Sequence, residues 1–249
     1  MHEGRERIYG RHPVREVLRA GRRIVSQIII AEGVERKGAL AEIVALAQSA
    51  RVPLKSAARG ELGEESWNHQ GVVADVSPYP YQDFSELLIR VRERGRDALA
   101  LLLDQIQDPQ NLGGLMRTAE AVGVDGIIVP YRRAASVTPA AVRASAGASE
   151  HLWIVQANLA QAMRQLKDAG LWMVGLDAGP EAQVLGDVDL SGPLGLVVGG
   201  EGDGLRRLVQ KSCDFMVRLP MRGKVESLNA TVAGSVMMYA IFAAHGYLE

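Results

Sequence analysis

Val197–Gly204 (VVGGEGDG), followed by Arg218–Val232 (RLPMRGKVESLNATV), is the part of the chain that decides how it folds. Each segment leaves a short apolar run, breaks at glycine and enters a helical pattern. A strand that turns into a helix in this way exposes backbone N–H groups at the turn. Upstream, Asp104–Arg117 (DQIQDPQNLGGLMR) has the same form and adds Asn111 and Arg117, six residues apart. Three polar loops at strand ends predict one site, able to grip a small polar cofactor.

Outward from these loops the pattern is strict. From Ala98 onward, near-continuous apolar runs predict strands at Ala98–Leu103, Gly126–Pro130, Trp153–Val155, Leu171–Leu176, Leu194–Val198 and Phe215–Leu219. Helices are predicted between them at Leu112–Val122, Thr138–Ala146, Leu159–Ala169, Leu205–Lys211 and Leu228–Ala244. Such runs suit a parallel sheet covered on both faces, with ligands at the carboxyl ends of its strands. The class is α/β. The N-terminal part reads as a smaller α/β unit: a helix with Pro13 in its first turn and Gly21 at its end, a strand at Ser26–Ala31, a helix over Leu40–Ala47 and a strand at Gly71–Val76. Ser77–Tyr81 carries two prolines, which interrupt helix and ladder alike. Domains are therefore expected at 1–76 and 98–249, with 77–97 as linker and lead-in helix, Phe84–Arg94.

Composition sets the class of protein. The chain has 249 residues, 47% hydrophobic and 23% charged, so it can bury a core without staples. One cysteine, Cys213, forms no intrachain disulfide, which fits a reducing cytoplasm. The longest apolar run, Val232–Ala244, is shorter than the about 20 residues a membrane span needs. Net charge is −1, yet residues 1–23 hold seven arginines against three glutamates. That basic arm hints at a polyanionic partner, or is an arginine-studded surface helix. The Leu228–Ala244 helix, with Met237 at its middle, shows almost no polar face, which predicts a homodimer that covers it.

Each polar residue also has a bland explanation. The glycine loop is G-x-G-x-G rather than a dinucleotide fingerprint, and alone it would be turn chemistry; an oxidoreductase reading needs it to be more. Glu201 either caps helix N–H groups or faces the site. Asn111 suits the N-cap of its helix, with Arg117 near its face and about 9 Å further along the axis. Ser227 suits the N-cap of the last helix, which leaves Asn229 as an amide needing partners. No metal-ligand spacing, nucleophile elbow or phosphate-binding lysine loop is present, and His2, His12, His69, His151 and His245 form no ligand pattern.

Taken together, NLGGLMR, VVGGEGDGL and LPMRGKVESLNATVA resemble, in order, the three motifs of the SpoU (TrmH-like) branch of the SPOUT RNA methyltransferases. Ile8–Val14, His69–Gly71 and Ala144–Leu152 (ASAGASEHL) are similar to the RlmB-type 23S rRNA ribose methyltransferases, whose catalytic domain follows a small RNA-binding domain related to a ribosomal protein. The resemblance implies a deep trefoil knot, which general topology would disfavour. It implies transfer of a methyl group from S-adenosyl-L-methionine, without metal, to a ribose 2′-hydroxyl, here of a guanosine in 23S rRNA. A tRNA substrate and a non-catalytic RNA-binding or ribosome assembly protein of the same fold are the alternatives. Carried over as catalytic are Asn111, Arg117, Glu201, Ser227 and Asn229. The cofactor is expected at the backbone of Gly199, Leu219 and Leu228, with Met221 and Gly223 shaping the bend. Because arginine stays protonated in proteins, Arg117 is read as a phosphate ligand and charge stabiliser rather than a base. The family's third motif reads SLNVS; here Ala230 and Thr231 follow Asn229, and a small change of packing is expected.

Overall fold

The computed structural model describes residues 4–63, 68–179, 181–202, 204–225 and 227–247, and the chain divides into two compact units. The first comprises the N-terminal residues to Pro80 together with Ser136–His151. Its strands β1 (Glu6–Tyr9), β2 (Val25–Ala31), β3 (Leu54–Ala57) and β4 (Val72–Val76) form a sheet in the order β1-β4-β2-β3. β4 runs antiparallel to both neighbours, and β3 lies parallel to β2. Helices α1 (Arg11–Ala20) and α2 (Ala39–Ser49) pack on one another, burying Val14 and Val17 of α1 and Leu40 and Ile43 of α2.

Six of the seven arginines of the first 23 residues are engaged inside this unit. Arg7 pairs with Asp75, Arg15 and Arg19 with Glu16 and Glu42, Arg11 with Gln70, and Arg22 donates to the carbonyls of Glu150 and Pro80. Arg23 is wholly buried. Its guanidinium holds both oxygens of Glu150 at 2.9 Å and Glu6 at 2.7 Å, 5.0 Å from the centre of the Tyr79 ring. The run that looks like a basic arm in the sequence is thus in large part a network within the unit, in which Arg7, Arg15, Arg19 and Arg23 meet carboxylates, Arg11 and Arg22 meet neutral acceptors, and Arg5 stays exposed.

Glu150 comes from far along the chain. The segment 136–151, placed by the sequence reading within 98–249, packs with the N-terminal residues, contributing α5 (Pro139–Ala144) and a 3₁₀ turn at Ala148–His151. The stretch 77–97 also divides: Tyr79 is buried in the first unit, donating to the carbonyl of Ser149, while α3 (Phe84–Arg94) belongs to the second.

The second unit is a seven-stranded, wholly parallel sheet. Its strands are β5 (Leu99–Asp104), β6 (Gly126–Val129), β7 (Ile154–Gln156), β8 (Trp172–Leu176), β9 (Gln183–Val184), β10 (Leu194–Gly199) and β11 (Phe215–Arg218), in the order β7-β6-β5-β10-β8-β11-β9. The two-residue β9 is too short to leave a sequence pattern. Its helices are α3, α4 (Pro109–Ala121), α6 (Leu159–Asp168), α7 (Arg207–Ser212) and α8 (Ala230–Ala244). Val197 of β10 joins the core under α3, α6 and α7, with Leu87, Leu102, Met163 and Val209. Its neighbour Val198 points to the other face, against α8 at Gly234, as strand alternation requires. Met237 of α8 is fully buried within the chain; the face left open is Val232, Val236 and Tyr239. Burial pushes the Cys213 thiol up to about 12, so it supplies no thiolate.

Replacing Arg23 by Met leaves the Glu150 carboxylate buried without its partner. The expected loss is about 3–5 kcal/mol, read from chemical denaturation. A variant as stable as the parent would show that the network is not what holds segment 136–151.

Candidate functional site

All the strands of the second unit's sheet are parallel, so their carboxyl ends line up, and the loops leaving them build the site. β5 ends at Asp104, whose carboxylate is fully buried. It accepts from the backbone N–H of Arg206 at 2.8 Å and from its guanidinium at 2.7 Å. The glycine loop that leaves β10 at Gly199 is thereby pinned where it returns toward α7. Within that loop Gly200 lies against the carbonyl of Gln105, and a Cβ there would collide with it. The glycines serve close approach of two loops, not only the turn.

A cleft of 610 Å³ is lined by residues of three loops: Leu176, Asp177 and Ala178 after β8, residues 198–202 and Gly204 after β10, and Leu219, Met221, Ser227, Leu228 and Asn229 after β11, with Ala230 and Ala233 of α8 beside them. Of the residues expected at a cofactor, Gly199, Leu219, Met221 and Leu228 line it, and Gly223 does not. Glu201, Ser227 and Asn229 line it as well. Asp203 and Glu226, each inside a quoted motif, lie outside the described residues. The sequence reading missed the contribution of Leu176–Ala178. The signal was available, because β8 is a predicted strand of a parallel sheet and its carboxyl end faces the same way.

Beside the cleft stands a polar cluster. Asn111 donates from Nδ2 to Glu201 Oε1 at 3.1 Å, and Asn229 donates from Nδ2 to the same oxygen and to Asn111 Oδ1, the latter at 3.0 Å. Asn229 is not a helical amide but the N-cap of α8: its Oδ1 accepts from the N–H groups of Thr231 and Val232, at 2.9 and 3.3 Å. Ser227 lies two residues before that cap. Asn111 in turn is not a cap, since Asp108 caps α4 and Pro109 opens it. This frees the Asn111 amide for Glu201. Thr231 donates its hydroxyl toward Asn111 O and Oδ1, each at 3.1 Å, so the departure from the family's third motif keeps a working hydrogen bond.

Arg117 stands apart. Six residues from Asn111 amounts to about 120° around an α-helix, so the two do not share a face. It is exposed, and among the described residues nothing hydrogen-bonds or ion-pairs with it. Among the described residues, no group of His, Cys, Asp and Glu is arranged to hold a metal.

The packing behind the cluster yields a test. α4 and α8 approach closely, with Thr118 and Ser235 hydroxyls 2.8 Å apart, and a Cβ at Gly114 would collide with Thr231 Cγ2. Alanine there gains about 1 kcal/mol of helix propensity. Overpacking costs about 1–3 kcal/mol and should win, because Thr231 is held by its hydroxyl and cannot swing away. Gly114→Ala should therefore lower the melting temperature, and adding Thr231→Ser, which deletes only that methyl, should restore it. Failure of the second change to restore stability would refute the collision as the cause.

Residues 98–239 match the model of the SpoU rRNA Methylase family, and residues 7–82 match that of RNA 2'-O ribose methyltransferase substrate binding. A Staphylococcus saprophyticus protein assigned to the TrmH family of tRNA/rRNA methyltransferases is 40% identical over 97% of this chain and 96% of its own. The Bacillus subtilis protein YacO, similarly assigned, is 38% identical over 97% of each chain. The SpoU methyltransferase AviRb of Streptomyces viridochromogenes, solved in complex with AdoMet, is 27% identical and superposes with a TM-score of 0.79, over 96% of this chain and 90% of its own.

Proposed function

The chain belongs to the SpoU rRNA methylase family, and on that premise we propose that it methylates a ribose 2′-hydroxyl of RNA, a guanosine of 23S rRNA, with S-adenosyl-L-methionine as donor. The observation that carries this reading is the Asn111–Glu201–Asn229 cluster set beside the three-loop cleft. The cleft suits the cofactor in size, lying within the roughly 300–1,000 Å³ of small-molecule sites. Its rim at Gly199 and Gly200 has no room for side chains. When bound, the cofactor supplies an electrophilic methyl on a sulfonium. The backbone at Gly199, Leu219 and Leu228 would hold its nucleoside end, with Met221 and Gly223 shaping the bend between them.

The chain's own residues then orient the acceptor. Glu201 is fixed by two carboxamides, and Asn229 is itself fixed by capping α8, so the carboxylate stands preorganised beside the cleft. Ser227 faces the same cleft. Arg117 would bind the phosphate next to the target ribose and stabilise the developing alkoxide, with the proton leaving to phosphate or water. The reading includes the family's trefoil knot, a substrate-binding part at 1–76 and a methylase part at 98–249 that lends segment 136–151 to the first unit, and a cytoplasmic location. Among the described residues no helix is long and apolar enough to cross a membrane. Because the relatives are assigned to tRNA and rRNA alike, both RNAs belong in the test.

Labelled S-adenosyl-L-methionine should transfer its methyl to rRNA from cells lacking the gene, at a guanosine 2′-oxygen. Arg117→Ala should cut the rate about 10²–10³-fold while cofactor affinity, by calorimetry, stays within error. Transfer to tRNA alone would redirect the substrate. No transfer to either RNA would leave the non-catalytic binding protein.

A homodimer is part of the same proposal. Val232, Val236 and Tyr239 recur at helical spacing on α8, exposed by 43–48% of their surface, next to the Asn229 cap. A second copy laid on this stripe would cover it beside the site, and in such an assembly Arg117, apart from the cluster within one chain, would act on the partner's cleft. Val236→Glu should turn a dimer into a monomer by sedimentation and lower transfer, with the melting temperature little changed. A parent protein that is monomeric at micromolar concentration and fully active would exclude the dimer.

A further inference from the structure

Away from the cofactor cleft, the same carboxyl edge of the sheet carries two further clefts that no motif points to. They lie at the ends of β6 and β7, on either side of Tyr131, and share Tyr131, Ala157 and Asn158 as a common wall. Tyr131 is 68% exposed, unusual for a ring that nothing else in the fold requires there. The cleft on one side, 330 Å³, is lined by Gln156, Gln161 and Gln165, with Asp83, whose carboxylate caps α3, also at its wall. No hydrogen bond engages these three carboxamides among the described residues. The cleft on the other side, 350 Å³, is bordered by Arg132 and by Arg206, the residue that Asp104 pins at the end of the glycine loop.

An exposed aromatic ring beside unpaired carboxamides and an arginine matches one chemistry well. A nucleobase offers a π-face to stack, and an edge of donors and acceptors that a carboxamide, having both, can pair. Its phosphate suits a guanidinium. The position agrees: β6 is two strands from β10 in the sheet, so the clefts lie on the order of 10 Å along the edge from the glycine loop at about 4.8 Å per strand. That spacing suits a nucleotide near, but not at, the modified one.

We propose that Tyr131 and the Gln156–Gln161–Gln165 wall form a subsite for an unpaired base of the substrate RNA flanking the methylated nucleotide, with Arg132 taking its phosphate. This rests on the RNA methyltransferase reading above and adds to it where sequence selectivity resides. A stacking ring, hydrogen-bonding glutamines and a cation suit a base together with its phosphate, which makes RNA the occupant.

The test compares the parent with Tyr131→Ala, Tyr131→Phe and Gln161→Leu. Binding is measured by anisotropy of labelled single-stranded RNA of mixed sequence, and methyl transfer on rRNA from cells lacking the gene. Tyr131→Ala should weaken RNA binding and raise KM for RNA roughly tenfold, the scale of losing one stacked base. The rate at saturating RNA and S-adenosyl-L-methionine affinity should hold, because the ring lies outside the cofactor cleft. Tyr131→Phe, which keeps the stack, should stay within about twofold of the parent. Gln161→Leu should change the preference among flanking bases more than the overall affinity. A Tyr131→Ala protein that transfers methyl with the parent's KM for RNA would overturn the subsite while leaving the enzyme reading intact. A parent protein that neither binds RNA nor transfers methyl would overturn both.

Discussion

A carboxylate buried at the end of a strand must be satisfied, and Asp104 is satisfied by one residue twice. The backbone N–H and the guanidinium of Arg206 converge on it, which ties the close of the glycine loop to the end of the neighbouring strand. Because β5 and β10 are adjacent and in register from Leu99–Leu194 to Asp104–Gly199, both ends of the loop are fixed relative to the same strand. Glu201 rides on that loop. Its position beside Asn111 and Asn229 therefore follows from a contact that itself touches no cofactor.

The second requirement is close approach. α4 and α8 meet where Gly114 faces Thr231 and where Gly234 faces Leu115. Small residues at these points bring the two helix starts together, and with them Asn111 and Asn229. Asn229 then serves two needs at once: its oxygen caps α8 and its nitrogen reaches Glu201 and Asn111. A side chain locked by its capping role has little rotamer freedom left, which is how an exposed carboxamide on a loop acquires a definite direction.

The alternation of apolar runs and helices was enough to read the parallel sheet of the second unit, because strands buried on both faces carry an unbroken signal. Phe84–Arg94 was legible to the residue, since Asp83 caps it and Gly95 ends it. β1, β3 and β9 were not; at two to four residues, half-covered, they offer no period to detect. The motifs brought together Gly199, Glu201, Leu219, Leu228 and Asn229, yet the caps were misplaced. Asp108 and Asn229 hold them, and the residues first chosen, Asn111 and Ser227, stand free for other work. Cap residues are nearly interchangeable by type, so sequence alone ranks several neighbours equally. Nor could it show that the charges of the first 23 residues would find partners as distant as Glu150.

That distant partner has a consequence for how the protein is made. The chain emerges N-terminus first, and domains generally fold as they appear. The first unit cannot follow that schedule. Arg23 is buried against Glu150, so the unit lacks a counter-charge and two of its packing elements until residue 151 has left the ribosome. By then β5 and β6 of the second unit are already exposed. They can pair with one another, but β10, which covers the other edge of β5, has not yet been made, so that apolar edge stays open while the nascent chain is at this length.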